Sequence, residues 1–186
     1  MFENFYEAAV GEDLLGDAVI AQTLQQERAL WALRHEMIPF KYVTGRMLKW
    51  DASVPLDVIP DFLLKTFDAV AGIDADAQVF AFGHVGDGNL HMSAWPRTDV
   101  PPEVLDQVSD RIIGTVDKLV WSYSGSICAE HGVGVENLPR LHGQKSAVEV
   151  ALMKAVKSAL DPRNLLNPGA LLLDLPNGPD ARRGQE

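Results

Sequence analysis

Cysteine is nearly absent. Cys128 is the single one in the chain, so no internal disulfide braces the fold, and the composition fits a reducing compartment. The start, Met1-Phe2-Glu3-Asn4-Phe5-Tyr6-Glu7, is acidic and amphipathic and has no secretory pattern. Together these make the expected location cytoplasmic. Basic residues are scarce: 16 Lys and Arg stand against 26 Asp and Glu, a net charge of −10. That balance argues against a nucleic-acid partner, because phosphate binding needs a basic face. No apolar run approaches the ~18 residues that span a bilayer. Walker loops, GxGxxG fingerprints, internal repeats and low-complexity stretches are all missing.

What is present suffices for one well-filled domain: 186 residues, 47% of them hydrophobic. The few basic residues cluster locally. Lys41, Arg46 and Lys49 form a positive island in an acidic chain, able to attract an anionic substrate.

Periodicity predicts the elements. Phe2, Phe5, Tyr6, Ala9 and Val10 recur at helical spacing. Asp17 to Ala21 reads as a short strand. Thr23 with Gln26 predicts a capping box for a second helix that carries Leu24, Leu30, Trp31, Leu33 and Met37 and closes at Pro39. Residues 40–50 read as loop or strand. Pro55 opens a third helix, with Val58, Phe62, Leu63, Phe67 and Val70 at core positions. Val79 to Trp95 reads as a hairpin, and Pro101-Pro102 lead into a fourth helix along Val104, Val108, Ile112, Val116 and Val120. Ser124 to Glu130 reads as a strand, Gly132 to Gly134 as a tight loop, and Gln144 to Leu160 as a fifth helix stopped by Asp161-Pro162. The order predicts an α+β fold: an antiparallel sheet with helices mainly on one face and ferredoxin-like elements. Residues 1–175 make the domain, and 176–186 read as a disordered tail.

The richest segment is Gly83-His84-Val85-Gly86-Asp87-Gly88-Asn89-Leu90-His91. Asp-Gly between apolar runs signals a two-residue hairpin turn. With Asp87 and Gly88 as the loop, His84 sits opposite His91, and opposed residues share a face. Two imidazoles so placed can hold one metal ion. A one-residue slip would separate them onto opposite faces, and two structural histidines remain the plainer reading. Cys128-Ala129-Glu130-His131-Gly132-Val133-Gly134 offers a carboxylate and a further imidazole. On a regular strand, Glu130 and His131 would face opposite ways; at a strand end beside glycines both can reach one cavity. Glu130 can complete a His-His-carboxylate set with open coordination positions, and His131 has the pKa of a general base. Arg34, at the edge of the second helix's apolar stripe, and Lys49 can supply cations to a carboxylate. Asp161-Pro162-Arg163-Asn164-Leu165-Leu166-Asn167-Pro168-Gly169 is locally a helix stop followed by turns.

In this order the motifs resemble the C-terminal substrate domain of FAD-linked oxidases and dehydrogenases. The superfamily is that of vanillyl-alcohol oxidase and p-cresol methylhydroxylase, on the branch of 2-hydroxyglutarate dehydrogenase, D-lactate dehydrogenase and the glycolate oxidase flavin subunit. Trp31-Ala32-Leu33-Arg34 and Lys49-Trp50-Asp51-Ala52-Ser53-Val54-Pro55 are similar to that branch too, and the resemblance runs from about Asp17 to Leu172. It implies that His84, His91 and Glu130 bind a divalent metal, zinc first, with manganese and iron as alternatives. It implies His131 as the base, Arg34 and Lys49 as carboxylate holders, and Asn167 near the flavin. The implied reaction oxidises a D-2-hydroxy acid to a 2-oxo acid with hydride transfer to FAD.

The sequence also departs from the branch. Ile38 replaces a threonine, Ser93 replaces an asparagine at a substrate-binding position, and Ala170 replaces a lysine. The first two put 2-hydroxyglutarate itself in question. The family's N-terminal FAD-binding domain has no counterpart in this sequence. The isolated chain is therefore expected to be inactive, to need an FAD-binding domain or subunit, and to expose an apolar patch through which it can form a homodimer. A metal-free FAD-linked relative and a stand-alone metal- or organic-acid-binding module are the alternatives.

Overall fold

A computed structural model describes residues 2–36 and 46–172. The expectations for Met37, Ile38, Pro39, Lys41 and the tail lie outside the described residues. The chain divides into two compact units, Met1–Thr44 and Gly45–Glu186.

The first unit holds helices α1 (Phe2–Gly11) and α2 (Leu24–Glu36). Thr23 caps α2 as expected, its hydroxyl accepting from Gln26 N at 3.2 Å, but the expected capping box is not closed, because the Gln26 side chain accepts from Gln22 N at 2.7 Å and not from Thr23 N. Two further expectations fail here. Asp17 to Ala21 forms no strand; it is irregular and mostly exposed. Strand-forming residues need a neighbouring strand for their N–H and C=O groups, and this segment has none among the described residues. The apolar stripe of α2 also stays largely uncovered, with Leu24, Leu30, Trp31 and Leu33 exposed. A stripe is a capacity to bury surface, and the described residues of this unit alone leave it uncovered.

The second unit is α+β. It runs β1 (Leu48–Ser53), α3 (Ile59–Ala71), β2 (Gln78–His84), β3 (Asn89–Trp95), α4 (Pro102–Ser122), α5 (Gly134–Gln144) and α6 (Ala147–Leu160). The sheet is antiparallel in the order β1-β3-β2. Ser126 and Cys128 bridge the outer edge of β1, in the place of the last strand of a β-α-β-β-α-β unit. Period-2 alternation divides the sheet. Leu48, Trp50, Ala52, Leu90, Met92 and Ala94 are buried with Ile59, Phe62 and Val70 of α3 and Ile112, Val116 and Val120 of α4. The opposite face therefore carries Lys49, Asp51, Ser53, Asn89, His91, Ser93, Phe80, Phe82 and His84.

Three readings of this unit are corrected. The hairpin turn is longer than Asp87-Gly88. Val85–Asp87 form one 3₁₀ turn and only Gly88 has positive φ, at 69°, where a type I′ turn needs two such residues. A Cβ on Gly88 would collide with the Val54 carbonyl oxygen, and Val54 N donates to Gly88 O at 3.1 Å. His84 therefore pairs with Asn89, and Phe82 pairs with His91. Next, Ser124 to Glu130 is no regular strand; it touches β1 through isolated bridges, with Ser53 N donating to Ser126 O at 2.8 Å. Last, the helix expected over Gln144 to Leu160 is α6, which starts at Ala147, and the stretch from Gly134 to Gln144, read as loop, forms a further helix, α5. A capping box restarts the chain at Ser146: Glu149 N donates to its hydroxyl at 3.2 Å, and Ser146 N donates to Glu149 Oε2 at 2.9 Å.

Candidate functional site

The polar face of the sheet is organised in rows. Lys49, Ser93 and Phe80 lie across one row, Asp51, His91 and Phe82 across the next, and Ser53, Asn89 and His84 across the third. The longer turn moves the partner of His84 by two residues. An even shift preserves the face, so His84 and His91 remain neighbours on a diagonal, their rings edge to face at 5.5 Å.

Asp51 brings the second motif to this face. Its backbone carbonyl accepts from Ala129 N at 2.8 Å. Its Oδ2 accepts from both Glu130 N and His131 N, each at 2.7 Å. Two successive N–H groups wrapped around one carboxylate form a nest. The chain therefore leaves strand geometry there, and adjacent side chains that would oppose one another turn to the same cavity. Glu130 Oε1 lies 3.0 Å from His91 Nε2, 3.4 Å from His131 Nε2 and 4.0 Å from His84 Nε2. The His91 and His131 rings stack at 5.1 Å.

Burial is uneven. The side chains of Asp51 and His91 are 11% and 13% exposed, whereas His84, Glu130 and His131 are open to solvent. Burial pulls the His91 pKa below its ordinary value, against the opposing pull of the Glu130 and Asp51 carboxylates. Burial likewise pushes the Cys128 thiol up, which makes it a poor nucleophile.

The donor set suits a divalent metal. Ligands about 2.1 Å from a tetrahedral ion stand roughly 3.4 Å apart. The separations of Glu130 from His91 and His131 bracket that spacing, and His84 closes a third side. One oxygen each from Asp51 and Glu130 and one nitrogen each from His91 and His131 also fall within 4.8 Å of one another. The residues fit the metal chemistry that the motifs imply.

Of the remaining candidates, Lys49 and Ser93 are cross-strand partners on this same face, next to the cluster's row. Lys49 is exposed and makes no ion pair with any described residue. Arg34 stands half-buried in the last turn of α2, in the first unit. Asn167 lies exposed in the turn after α6 with φ of 47°, and among the described residues no hydrogen bond or ion pair ties it to the cluster. That turn braces itself. Asp161 accepts from Leu165 N and Leu166 N, both at 2.9 Å, and Lys157 Nζ donates to Asp161 at 2.5 Å and to Leu166 O at 2.6 Å. These donors, Lys157 first, hold the Asp161 carboxyl down to about 2.

Sequence reasoning missed Asp51. Its signal was the alternation of Leu48-Lys49-Trp50-Asp51-Ala52-Ser53, which places Lys49, Asp51 and Ser53 together, opposite the buried Trp50.

Comparison with known proteins shows the family. The family described as FAD linked oxidases, C-terminal domain, matches residues 2–171. A D-2-hydroxyglutarate dehydrogenase of Stutzerimonas stutzeri is 36% identical over 179 residues, 89% of this chain and 36% of the relative. A protein of the same name from Xanthomonas citri pv. viticola is 34% identical over 171 residues, 89% of this chain and 35% of the relative. The mitochondrial D-2-hydroxyglutarate dehydrogenase of Arabidopsis thaliana is 30% identical over 174 residues, 91% of this chain and 29% of the relative. The chain thus spans about a third of the length of these curated relatives. With a match over nearly its whole length, the chain belongs to the C-terminal domain family of FAD-linked oxidases.

Proposed function

We propose that this chain is the substrate- and metal-binding part of an FAD-dependent dehydrogenase that oxidises a D-2-hydroxy acid to the 2-oxo acid. One observation carries the reading: three imidazole Nε2 atoms surround one oxygen of Glu130, on an open polar face next to Lys49 and Ser93. His84, His91 and Glu130 are the metal ligands. Two nitrogens and one oxygen favour zinc, with manganese or iron as alternatives. When bound, the metal would polarise the hydroxyl and carboxylate oxygens and the flavin would accept the hydride.

The chain's own residues do the rest. Lys49 and Arg34 offer cations to substrate carboxylates, and Ser93 offers a hydroxyl from the same row as Lys49. His131 takes the hydroxyl proton; its Nε2 faces the cluster, and its exposure leaves a route to solvent. Asn167 serves the flavin side. The substrate is a small anionic hydroxy acid, since Lys49 presents a cation on the cluster's face with no ion pair to any described residue, whereas Arg46 is taken up by Asp106. An FAD-binding domain or subunit supplies the electron acceptor, and without it the chain is inactive. Val148, Leu152, Val156 and Leu160 form an exposed stripe on α6 that supports a covering partner, either that part or a second copy. The single cysteine supports a cytoplasmic location, and no helix among the described residues is long and apolar enough to cross a membrane.

The test is flavin bleaching under anaerobic conditions, with the chain joined to an FAD-binding partner and offered D- and L-2-hydroxy acids. Bleaching by the D form that chelator abolishes and zinc restores is expected. Bleaching indifferent to chelator favours a metal-free oxidase. Metal and hydroxy-acid binding without bleaching favours a binding module.

A further inference from the structure

Asp51 is the most buried charged group at the cluster, and its two oxygens have different surroundings. Oδ2 accepts the Glu130 and His131 amides. Oδ1 is fully buried, has no hydrogen-bond partner among the described residues, and lies 3.6 Å from His91 Nδ1. A buried carboxylate oxygen is costly to leave alone. An Nδ1–H on His91 is a side-chain donor it can recruit, since the Glu130 and His131 amides are already spent on Oδ2. His91 presents its other nitrogen, Nε2, to Glu130 at 3.0 Å. One ring thus lies between a buried acceptor on its Nδ1 side and the candidate metal cavity on its Nε2 side.

We propose that Asp51 is a positioning residue and not a metal ligand: Oδ2 holds the backbone that presents Glu130 and His131, and Oδ1 keeps His91 protonated on Nδ1 so that Nε2 meets the metal. This rests on the metal reading above. Ligation by Asp51 would take a carboxylate that already accepts two backbone N–H groups and turn it past the ring it faces. An acceptor behind a ligating imidazole fixes tautomer and ring orientation and raises its basicity. One side chain then sets three of the cluster's groups, although Glu130 and His131 are far from it in sequence.

The test uses the full chain with Zn²⁺ and Co²⁺ alone as probes. In Asp51→Asn, the amide oxygen can still accept from Glu130 N and His131 N, but its NH₂ then meets His91 Nδ1–H, donor against donor. Zn²⁺ affinity is expected to fall about 10–100-fold. At saturating Co²⁺ the ligand-field absorption should match wild type, because the ligands are unchanged. The hyperfine-shifted Nδ1–H resonance of His91 should move, which a residue that merely braced the loop would not cause. Unaltered Zn²⁺ affinity, or a changed Co²⁺ spectrum at saturation, overturns the assignment. If Asp51→Asn does not fold, the Zn²⁺-loaded wild type decides: ¹⁵N shifts must show His91 ligated through Nε2, and ligation through Nδ1 overturns the proposal. Failure of wild type to bind Zn²⁺ at all instead removes the metal reading beneath it.

Discussion

Asp117 is the charge on which the packing behind the site depends. It sits in α4 with a side chain 4% exposed, accepting from Trp50 Nε1 of β1 at 3.1 Å and from Arg140 of α5 at 2.8 and 2.6 Å. Arg140 also donates to Asn137 at 2.6 Å and is 17% exposed. One carboxylate thus joins the core strand, the long helix and the helix that follows the Glu130-His131 segment. Asp117→Ala leaves the Trp50 N–H buried without an acceptor, a loss of about 1–3 kcal/mol. It also strands a guanidinium that water reaches only in part; breaking a buried pair from one side costs about 3–5 kcal/mol. The two losses overlap, and partial exposure of Arg140 tempers the second, so about 3–4 kcal/mol is expected in all. Trp50→Phe keeps the ion pair and should cost nearer 1 kcal/mol through the lost hydrogen bond. Replacing both charged partners by apolar residues, Asp117→Leu with Arg140→Met, should recover much of the deficit. Urea unfolding of the four proteins measures this. An Asp117→Ala loss below that of Trp50→Phe, or a double variant worse than Asp117→Ala, would refute the reasoning.

Three further outcomes follow from the same geometry. Lys49→Met, which removes an exposed cation with no partner among the described residues, should raise KM for the hydroxy acid about tenfold or more, the value of a charge-assisted contact; an unchanged KM in the FAD-loaded enzyme contradicts its role. Gly88→Ala, at φ 69° and against the Val54 carbonyl, should destabilise the unit by at least about 1–2 kcal/mol in urea titration; an unmoved midpoint contradicts the turn described. Acid should loosen both ends of α6. Glu149, held to about 2 by the Ser146 amide and Lys145, and Asp161, held to about 2, both titrate below their ordinary values of 4.5 and 3.8. With folded values depressed, their stabilisation is present above the ordinary range and disappears as pH falls towards 2. The amide resonances of Ser146, Leu165 and Leu166 should report those low midpoints by NMR, and midpoints at ordinary carboxylate values would contradict the bonding.

Much of the core was legible because it is periodic. Val108, Ile112, Val116 and Val120 mark the inner face of α4, and alternation separates Leu90, Met92 and Ala94 from Asn89, His91 and Ser93. The pairing register was not legible, because Gly86 and Gly88 permit several turns and packing of Gly88 under Val54 selects one. The face of His84 and His91 survived that error because the change was an even number of residues. Helix α5 was hidden by composition. It contains Pro139 and Gly143 and begins at Gly134, and burial of Leu138 and Leu141 with the Arg140–Asp117 pair outweighs those poor propensities. Asp17 to Ala21 failed in the opposite sense, having strand-like residues with no strand to join among the described residues. Asp51 could not be read locally, since its role depends on Ala129, Glu130 and His131 arriving from far along the chain.

The central claim is that His84, His91 and Glu130 together hold a divalent metal, and calorimetric titration of the metal-free chain with Zn²⁺ tests it most directly. The account predicts one tightly bound Zn²⁺ per chain and, for Glu130→Gln, which replaces the anionic carboxylate lying 3.0 to 4.0 Å from the three imidazoles by a neutral, weakly ligating amide, a loss of about a hundredfold or more in affinity. No stoichiometric uptake of Zn²⁺, Mn²⁺ or Fe²⁺ by wild type, or Zn²⁺ binding indifferent to Glu130→Gln, would contradict it.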